Sequence, residues 1–340
     1  MMLIFLLGHF LFAGEPDNMM ARASGAKAEY ANDAINNAVN GLIQQRLEAY
    51  NLGSKRCDVD RLYEFLKEDF DKNFPAIYNS SKLNVPPAGP YEAEKLPYKT
   101  LPTGNGACAK KLSFRVPYNS KSYSRSVKVK SKGKTFYIGI DKIDHLFSHG
   151  HLYWKMMGRD PKLPPEQVQR MLKMGIAQEE GIWGLKCFSV KSYADLSANY
   201  HGLFFWRDLL NGPSPILACD GNHYVQKRKF DLADYIDPSM DESINCNSYD
   251  SAAVINALKV GWDKVKMKCP ADEQACADLR KSLPENVANK ILHPRCLGTG
   301  SYEVEKPSEM TSQDYIDGAV IMLLNKQPQP RDAAPAEALQ

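Results

Sequence analysis

IDKIDHLFSHGHLYWKMM, residues 140–157, places Asp141, Asp144, His145, Ser148 and His149 at three- and four-residue intervals, so a helix here carries them as one stripe opposite an apolar face. A solvated helix face is ordinarily built from Lys, Glu and Arg. A stripe of Asp, Ser and His therefore reads either as chemistry or as a hydrogen-bonded structural network. His145 and His149, four apart, could ligate one divalent metal such as zinc, with the aspartates as further ligands or as partners of the imidazoles. The Glu of HExxH is missing between them, so the metalloprotease motif is not matched.

The chain that follows repeats the pattern of a polar patch beside an apolar face. In PPEQVQRMLKMGIAQEEGIWG, residues 164–184, Pro164-Pro165 open a helix and Gly181 closes it. Its apolar stripe, Val168, Met171, Leu172 and Ile176, continues onto Glu179 and Glu180. That spacing brings at least one carboxylate to the core; the alternative is that both sit on a last exposed turn. A carboxyl packed beside Trp183 would suit a general acid, because burial disfavours its charged form. In SVKSYADLSANYHGLFFWRDLLNG, residues 189–212, Ser189 or Ser192 opens a helix that ends at Asn211-Gly212. Tyr193, Leu196, Tyr200, Leu203 and Phe204 make its packing face. Asp195, Asn199 and Gly202 form an adjacent polar line, with His201 nearby.

Convergence of the three patches would put Asp144, His145, His149, Glu180, Asp195 and Asn199 around one pocket at a three-helix junction, residues 141–212. The candidate catalytic groups are then Glu180, Glu179, Asp195 and His145. Asp144, Asn199, His201 and Trp183 are the candidate substrate contacts, and His145 and His149 the candidate metal ligands.

Upstream, residues 95–140 hold eleven Lys or Arg and no Asp or Glu. Within them SFRVPYNSKSYSRSVKVKSKGKTFYIGI, residues 113–140, alternates basic or polar residues with Val, Tyr, Phe and Ile, the period of an antiparallel strand pair with one cationic face. The basic β segment is placed within 107–140. Its lysines either blunt a sheet edge or attract an anionic envelope glycan or lipid head groups. No nucleic-acid partner is expected, since no recognition motif accompanies the charge. Before it, a helical region spans 21–84, with one helix over 21–51 (Ile35, Val39, Ile43 and Leu47 on one face) and another over 59–70. A Pro/Gly-rich connector, 85–106, separates the two regions. After the junction come turns and short strands over 211–250, then helices over 251–268 and 272–283, the second stopped by Pro284. Residues 326–340 are Pro/Ala-rich and expected to be disordered.

Residues 1–14 read as a cleaved secretory signal: LIFLLGHFLF is about half the roughly 20 apolar residues a membrane span needs, and Ala13-Gly14 supplies small residues for cleavage. No other segment is long and apolar enough to span. The chain has 340 residues and eight cysteines, all after that leader. In an exported chain an even number implies bridges, up to four, in a single disulfide-bonded domain over 15–325. Cys269 and Cys276 form the nearest local pair. The fold expected is α+β and predominantly helical, with a small basic antiparallel β segment, disulfides, and a Cys-rich part over 213–325.

The order DKIDH, a Glu ending the next helix, then FSVKSYADLSANYHG resembles poorly characterised bacterial envelope proteins of the form DKxxH, Glu, FS, DLxANxxG, over about residues 141–202. The resemblance implies a secreted or periplasmic protein whose shared polar residues are Asp141, Lys142, His145, Glu180, Asp195 and Asn199, with no established activity attached. Three functions stay open. The first is a hydrolase of a cell-envelope glycan such as peptidoglycan, with Glu180 or Glu179 as acid and Asp195 or Asp144 as second carboxylate. The second is a metal-dependent hydrolase using His145, His149 and Glu180. The third is a non-enzymatic protein that binds an anionic envelope polymer. The phosphate-loop and GxGxxG nucleotide signatures and the GxSxG elbow are absent.

Overall fold

The computed structural model describes residues 19, 22–23, 29–54, 56–80, 126–181, 184–185, 190–250 and 252–300. The leader, the connector, the first part of the basic segment, Trp183, Cys108, Cys187 and the C-terminal tail lie outside them. The described chain is mostly helical with three two-stranded antiparallel sheets. In order it runs α1 (Asn32–Gly53), α2 (Val59–Ser80), β1 (Ser126–Ser131), β2 (Lys134–Gly139), α3 (Ile140–Met156), α4 (Pro165–Glu180), β3 (Val190–Lys191) and α5 (Tyr193–Leu210). There follow β4 (Leu217–Asp220), β5 (His223–Gln226), β6 (Ser248–Tyr249), α6 (Ala252–Lys264), α7 (Glu273–Ser282), α8 (Glu285–Ile291) and α9 (Pro294–Leu297), with short 3-10 turns at Leu232–Asp234 and Pro238–Met240. No helix among the described residues is long and apolar enough to cross a membrane.

The β1–β2 hairpin turns at Lys132-Gly133, where Gly133 takes φ +80°. Val127 and Val129 are buried while Lys128 and Lys130 alternate outward, the expected period of two. Two of its lysines are engaged by the protein itself: Lys134 pairs with Asp278 on α7, and Lys128 lies 4.8 Å over the Tyr30 ring. Residue 140, expected in the strand region, is instead the first residue of α3.

The helix expected over 21–51 is not continuous: residues 22–23 are helical, residues 29–31 are not, and the long helix begins at Asn32. The reason is tertiary. Tyr30 bridges Lys128, Ala31 N–H donates to the Lys128 carbonyl at 2.9 Å, and the Asn32 side chain both donates to and accepts from the Lys130 backbone at 2.9 Å. Residues 30–32 are thus recruited to the hairpin edge. The second helix runs ten residues beyond the expected end, to Ser80.

α3 and α5 cross at the centre of the molecule, and glycine sets their spacing. A Cβ on Gly202 would lie 2.1 Å from the Leu146 carbonyl oxygen, and one on Gly150 would lie 2.5 Å from Gly202 Cα. Around the crossing Trp154, Trp206, Phe147, Phe205, Phe70 and Tyr63 fill the main core, which extends over α1, α2, α4, β4–β5, α7 and α8. A smaller core gathers Met19, Val190, Tyr249, Ile255, Leu258 and Trp262 around Cys246 and Cys269.

Three disulfides are present among the described residues: Cys57–Cys219, Cys246–Cys269 and Cys276–Cys296. The expected Cys269–Cys276 pair does not form. Cys269 is drawn into the smaller core beside Cys246, whereas Cys276 lies on the buried face of α7 toward Cys296 on α9. Disulfides and a mostly helical body fit a protein that folds in an oxidising compartment.

Candidate functional site: a buried ion cluster that reaches the surface at two histidines

Capping places the site residues. Gly181 ends α4 immediately after Glu179 and Glu180, both buried. Ser192 begins α5, its Oγ accepting from the Asp195 N–H at 3.2 Å, so Asp195 falls in the first turn, where a carboxylate complements the helix dipole. The spacing on α5 then carries Asn199 one turn further along the face that meets α3.

At the centre is Lys142, fully buried. Its Nζ lies 2.7 Å from Asp141 Oδ2, 2.5 Å from Asp195 Oδ1 and 2.7 Å from Glu242 Oε1. An ammonium in the interior is tolerated only with such compensation, and here three carboxylates from three segments supply it. A second buried pair, Lys191 Nζ to Glu180 Oε1 at 2.8 Å, lies alongside, and Glu179 Oε2 accepts from the Ser192 N–H at 3.3 Å. Ser192 Oγ lies 3.5 Å from Glu242 Oε1, which ties the two sets together.

The cluster meets the surface at His145, whose side chain is 14% exposed. Its Nε2 lies 3.4 Å from Asp195 Oδ2 and its Nδ1 lies 2.9 Å from Asn199 Oδ1. The His149 ring stacks on it at 4.5 Å with an 11° interplanar angle. His149 Nδ1 is buried without a hydrogen-bond partner among the described residues. Burial, and then the neighbouring His145, holds the His149 imidazole well below the usual histidine range, which keeps it neutral near pH 7. Tyr153 is buried on the same helix, and burial pushes its phenol well up.

The structure therefore brings together Asp141, Lys142, His145, His149, Asp195 and Asn199, with Glu179 and Glu180 in the adjoining Lys191 set. Asp144 is also buried on α3, its backbone carbonyl accepting from Ser148 Oγ at 2.8 Å. His201 joins a different group: its Nε2 lies 3.1 Å from Asp237 Oδ2, and Asp237 caps the 3-10 turn that holds Ser239. Trp183 lies outside the described residues. Sequence reasoning missed Glu242, Lys191 and Ser192 as members of the cluster. Glu242 sits in the turn MDESIN with no periodicity to mark it, and Lys191 looks like one more surface lysine beside a cap.

Two chemical consequences follow. A glycosidase needs two carboxyls facing an open cleft. Glu179, Glu180 and Asp195 are instead buried and held by Ser192 N–H, Lys191 and Lys142 respectively. For a metal, no group of three or more His, Cys, Asp or Glu among the described residues is arranged to hold one. Parallel stacked imidazoles aim their in-plane lone pairs side by side instead of at one point, and Glu180, the expected third ligand, faces Lys191. What the arrangement can do is move a proton between solvent and a histidine backed by a carboxylate. No protein-family model, curated protein or solved structure matches the chain.

Proposed function

We propose that the protein is an exported hydrolase of the cell envelope whose acid–base chemistry is run by the stacked pair His145 and His149. The observation that carries this reading is the bracketing of His145 by Asp195 and Asn199 at the edge where an otherwise buried ion cluster meets solvent. In this reading His149, neutral through burial, takes a proton from water as the oxygen attacks an acyl carbon. His145, carrying a proton that Asp195 is placed to stabilise, gives its own proton to the departing oxygen or nitrogen; His149 then releases the water's proton to solvent and His145 takes one up, which restores the pair. Lys142 fixes Asp195, and Asn199 fixes the ring. The carboxylates are held by lysines or backbone in the interior, which favours hydrolysis of an ester or amide substituent on an envelope glycan over cleavage of the glycosidic bond. The envelope as location rests on the disulfides and on the leader read from the sequence.

The test is incubation of the purified protein with O-acetylated peptidoglycan sacculi, following acetate, free amines and reducing ends separately. Acetate or free amines are expected, falling at least about 100-fold in His149→Ala and Asp195→Asn, the order of loss for a missing general base. Reducing ends in their place would return the reaction to a carboxylate pair. No product of any kind, with salt-sensitive sedimentation on sacculi, would make the protein a binder and end the hydrolase reading.

A further inference from the structure

We infer that Arg22 is a positioning residue for the buried cluster, clamping the turn that delivers Glu242 to Lys142. Of the three carboxylates on Lys142 among the described residues, Asp141 comes from the neighbouring residue and Asp195 from the helix packed against it. Glu242 alone arrives from a loop, and the order of that loop decides whether its Oε1 reaches Lys142. The residues on either side of it are held by one guanidinium. Arg22 Nη2 donates to Asp241 Oδ2 at 2.6 Å and Arg22 Nε donates to Ser243 Oγ at 2.8 Å. Ser243 Oγ in turn donates to Asp241 Oδ1 at 2.6 Å, and the Tyr137 N–H donates to Asp241 Oδ2 at 2.8 Å. The arginine also lies 5.4 Å over the Tyr137 ring, fixing it against β2.

The geometry needs an arginine, because two nitrogens of one planar group serve two flanking residues at once and an ammonium has no such fork. Asp241 is fully buried. Burial pushes its carboxyl up, and Arg22, Ser243 and the Tyr137 amide work against that. Without Arg22 the carboxylate loses the cation that compensates it, and the turn has reason to rearrange. Met19, 3% exposed in the smaller core, anchors the chain just before the clamp. Cleavage after Ala13-Gly14 would retain both contacts. A segment that looks like the spacer after a leader thereby becomes part of the site.

The experiment requires no substrate and so does not depend on the hydrolase reading. The full chain is produced by export with 15N-labelled histidine as wild type, Arg22→Ala, Arg22→Lys, Asp241→Asn and the Arg22→Ala/Asp241→Asn double variant. Thermal unfolding and the ring signals of His145, His149 and the distant His223 are followed together. Arg22→Ala is expected to lower Tm by about 5 °C or more, the scale for orphaning a buried carboxylate. Asp241→Asn in that background should restore a large part of the loss, since the orphaned charge is gone. The His145 and His149 signals should move in Arg22→Ala and less in Arg22→Lys, with His223 unmoved. Strictly additive Tm losses, or a lowered Tm with unmoved His145 and His149 signals, would overturn the proposal and leave Arg22 a brace for the turn. If Arg22→Ala does not fold, Arg22→Lys decides: a folded lysine variant with unshifted His145 and His149 refutes it.

Discussion

Gly202→Ala should destabilise the protein although alanine is the better helix former. In an unencumbered helix the change stabilises by roughly 0.5–1 kcal/mol. At this position the new Cβ would meet Leu146 O at 2.1 Å, Gly150 Cα at 2.8 Å and Leu146 C at 2.9 Å. Carbon atoms in good contact sit about 3.5–4.0 Å apart, so α3 and α5 must separate by roughly 1 Å. All three neighbours are backbone, with no flexible side chain to swing away. Overpacking of this kind costs about 1–3 kcal/mol and occasionally more; with three backbone atoms under 3.0 Å the upper end applies, so a net loss of about 2 kcal/mol remains after the propensity gain.

The consequence reaches the site because Asn199 precedes Gly202 by one turn on the same helix. A separation of about 1 Å stretches the 2.9 Å contact from Asn199 to His145 beyond hydrogen-bonding distance. Urea unfolding is the assay, with Gly41→Ala as an internal control. Gly41 lies on α1, where an added methyl would have nothing within 4 Å, so its alanine variant should gain stability. Opposite signs at two helical glycines are the expected result. A Gly202→Ala protein as stable as wild type, or more stable, would refute the claim that backbone contact sets the α3–α5 spacing.

Three further outcomes are expected. Lys142→Met should cost about 3–5 kcal/mol in urea unfolding, because it leaves Asp141, Asp195 and Glu242 gathered in the interior without their shared cation; a cost under about 1 kcal/mol would mean that the cluster is not held by that ammonium. His293→Asn should flatten the acid side of the stability profile. Burial, then Arg295 and Lys191, lower the His293 imidazole to about 3, so the folded state binds fewer protons than the unfolded one below the usual histidine value. That contribution is fully present above about pH 6.5 and is lost as pH falls toward 3, at up to about 1.4 kcal/mol per pH unit. Asparagine can still accept from the Arg295 N–H as the α9 cap, so the variant should lose the slope and keep the helix. Peptide mapping without reduction should find Cys57–Cys219, Cys246–Cys269 and Cys276–Cys296 linked; a Cys269–Cys276 peptide would contradict the placement of α7 against α9.

Where structure was determined locally, the sequence announced it. Pro164-Pro165 and Gly181 bound α4, Ser192 and Asn211 bound α5, and the alternation of Val127 and Val129 with lysines marked β1, because caps and pleats act within a few residues. Legibility ended where a distant segment outbid the local one. Residues 30–32 carry helix-compatible sequence but are captured by Lys128 and Lys130, far along the chain. Cys269 and Cys276 are close in sequence, yet each faces a different core.

The candidate site shows the same division with a sharper edge. In the structure Asp141, Lys142, His145, Asp195 and Asn199 lie together, with Lys142 drawn in from the resemblance and not from the spacing of the helical stripe. Their roles could not be read from that spacing. A lysine on a helix ordinarily reaches for solvent along its apolar stem. Lys142 is buried only because Asp195 from α5 and Glu242 from a distant turn join Asp141 around it. Once Lys142 is fixed, Asp195 is fixed, and with it the distance to His145. The geometry of a solvent-facing imidazole is thus decided by a carboxylate in a loop, and the order of that loop by an arginine near the start of the chain. Each link joins segments that no periodicity connects, which is why Glu242, Lys191 and Arg22 enter the cluster only once the fold is known.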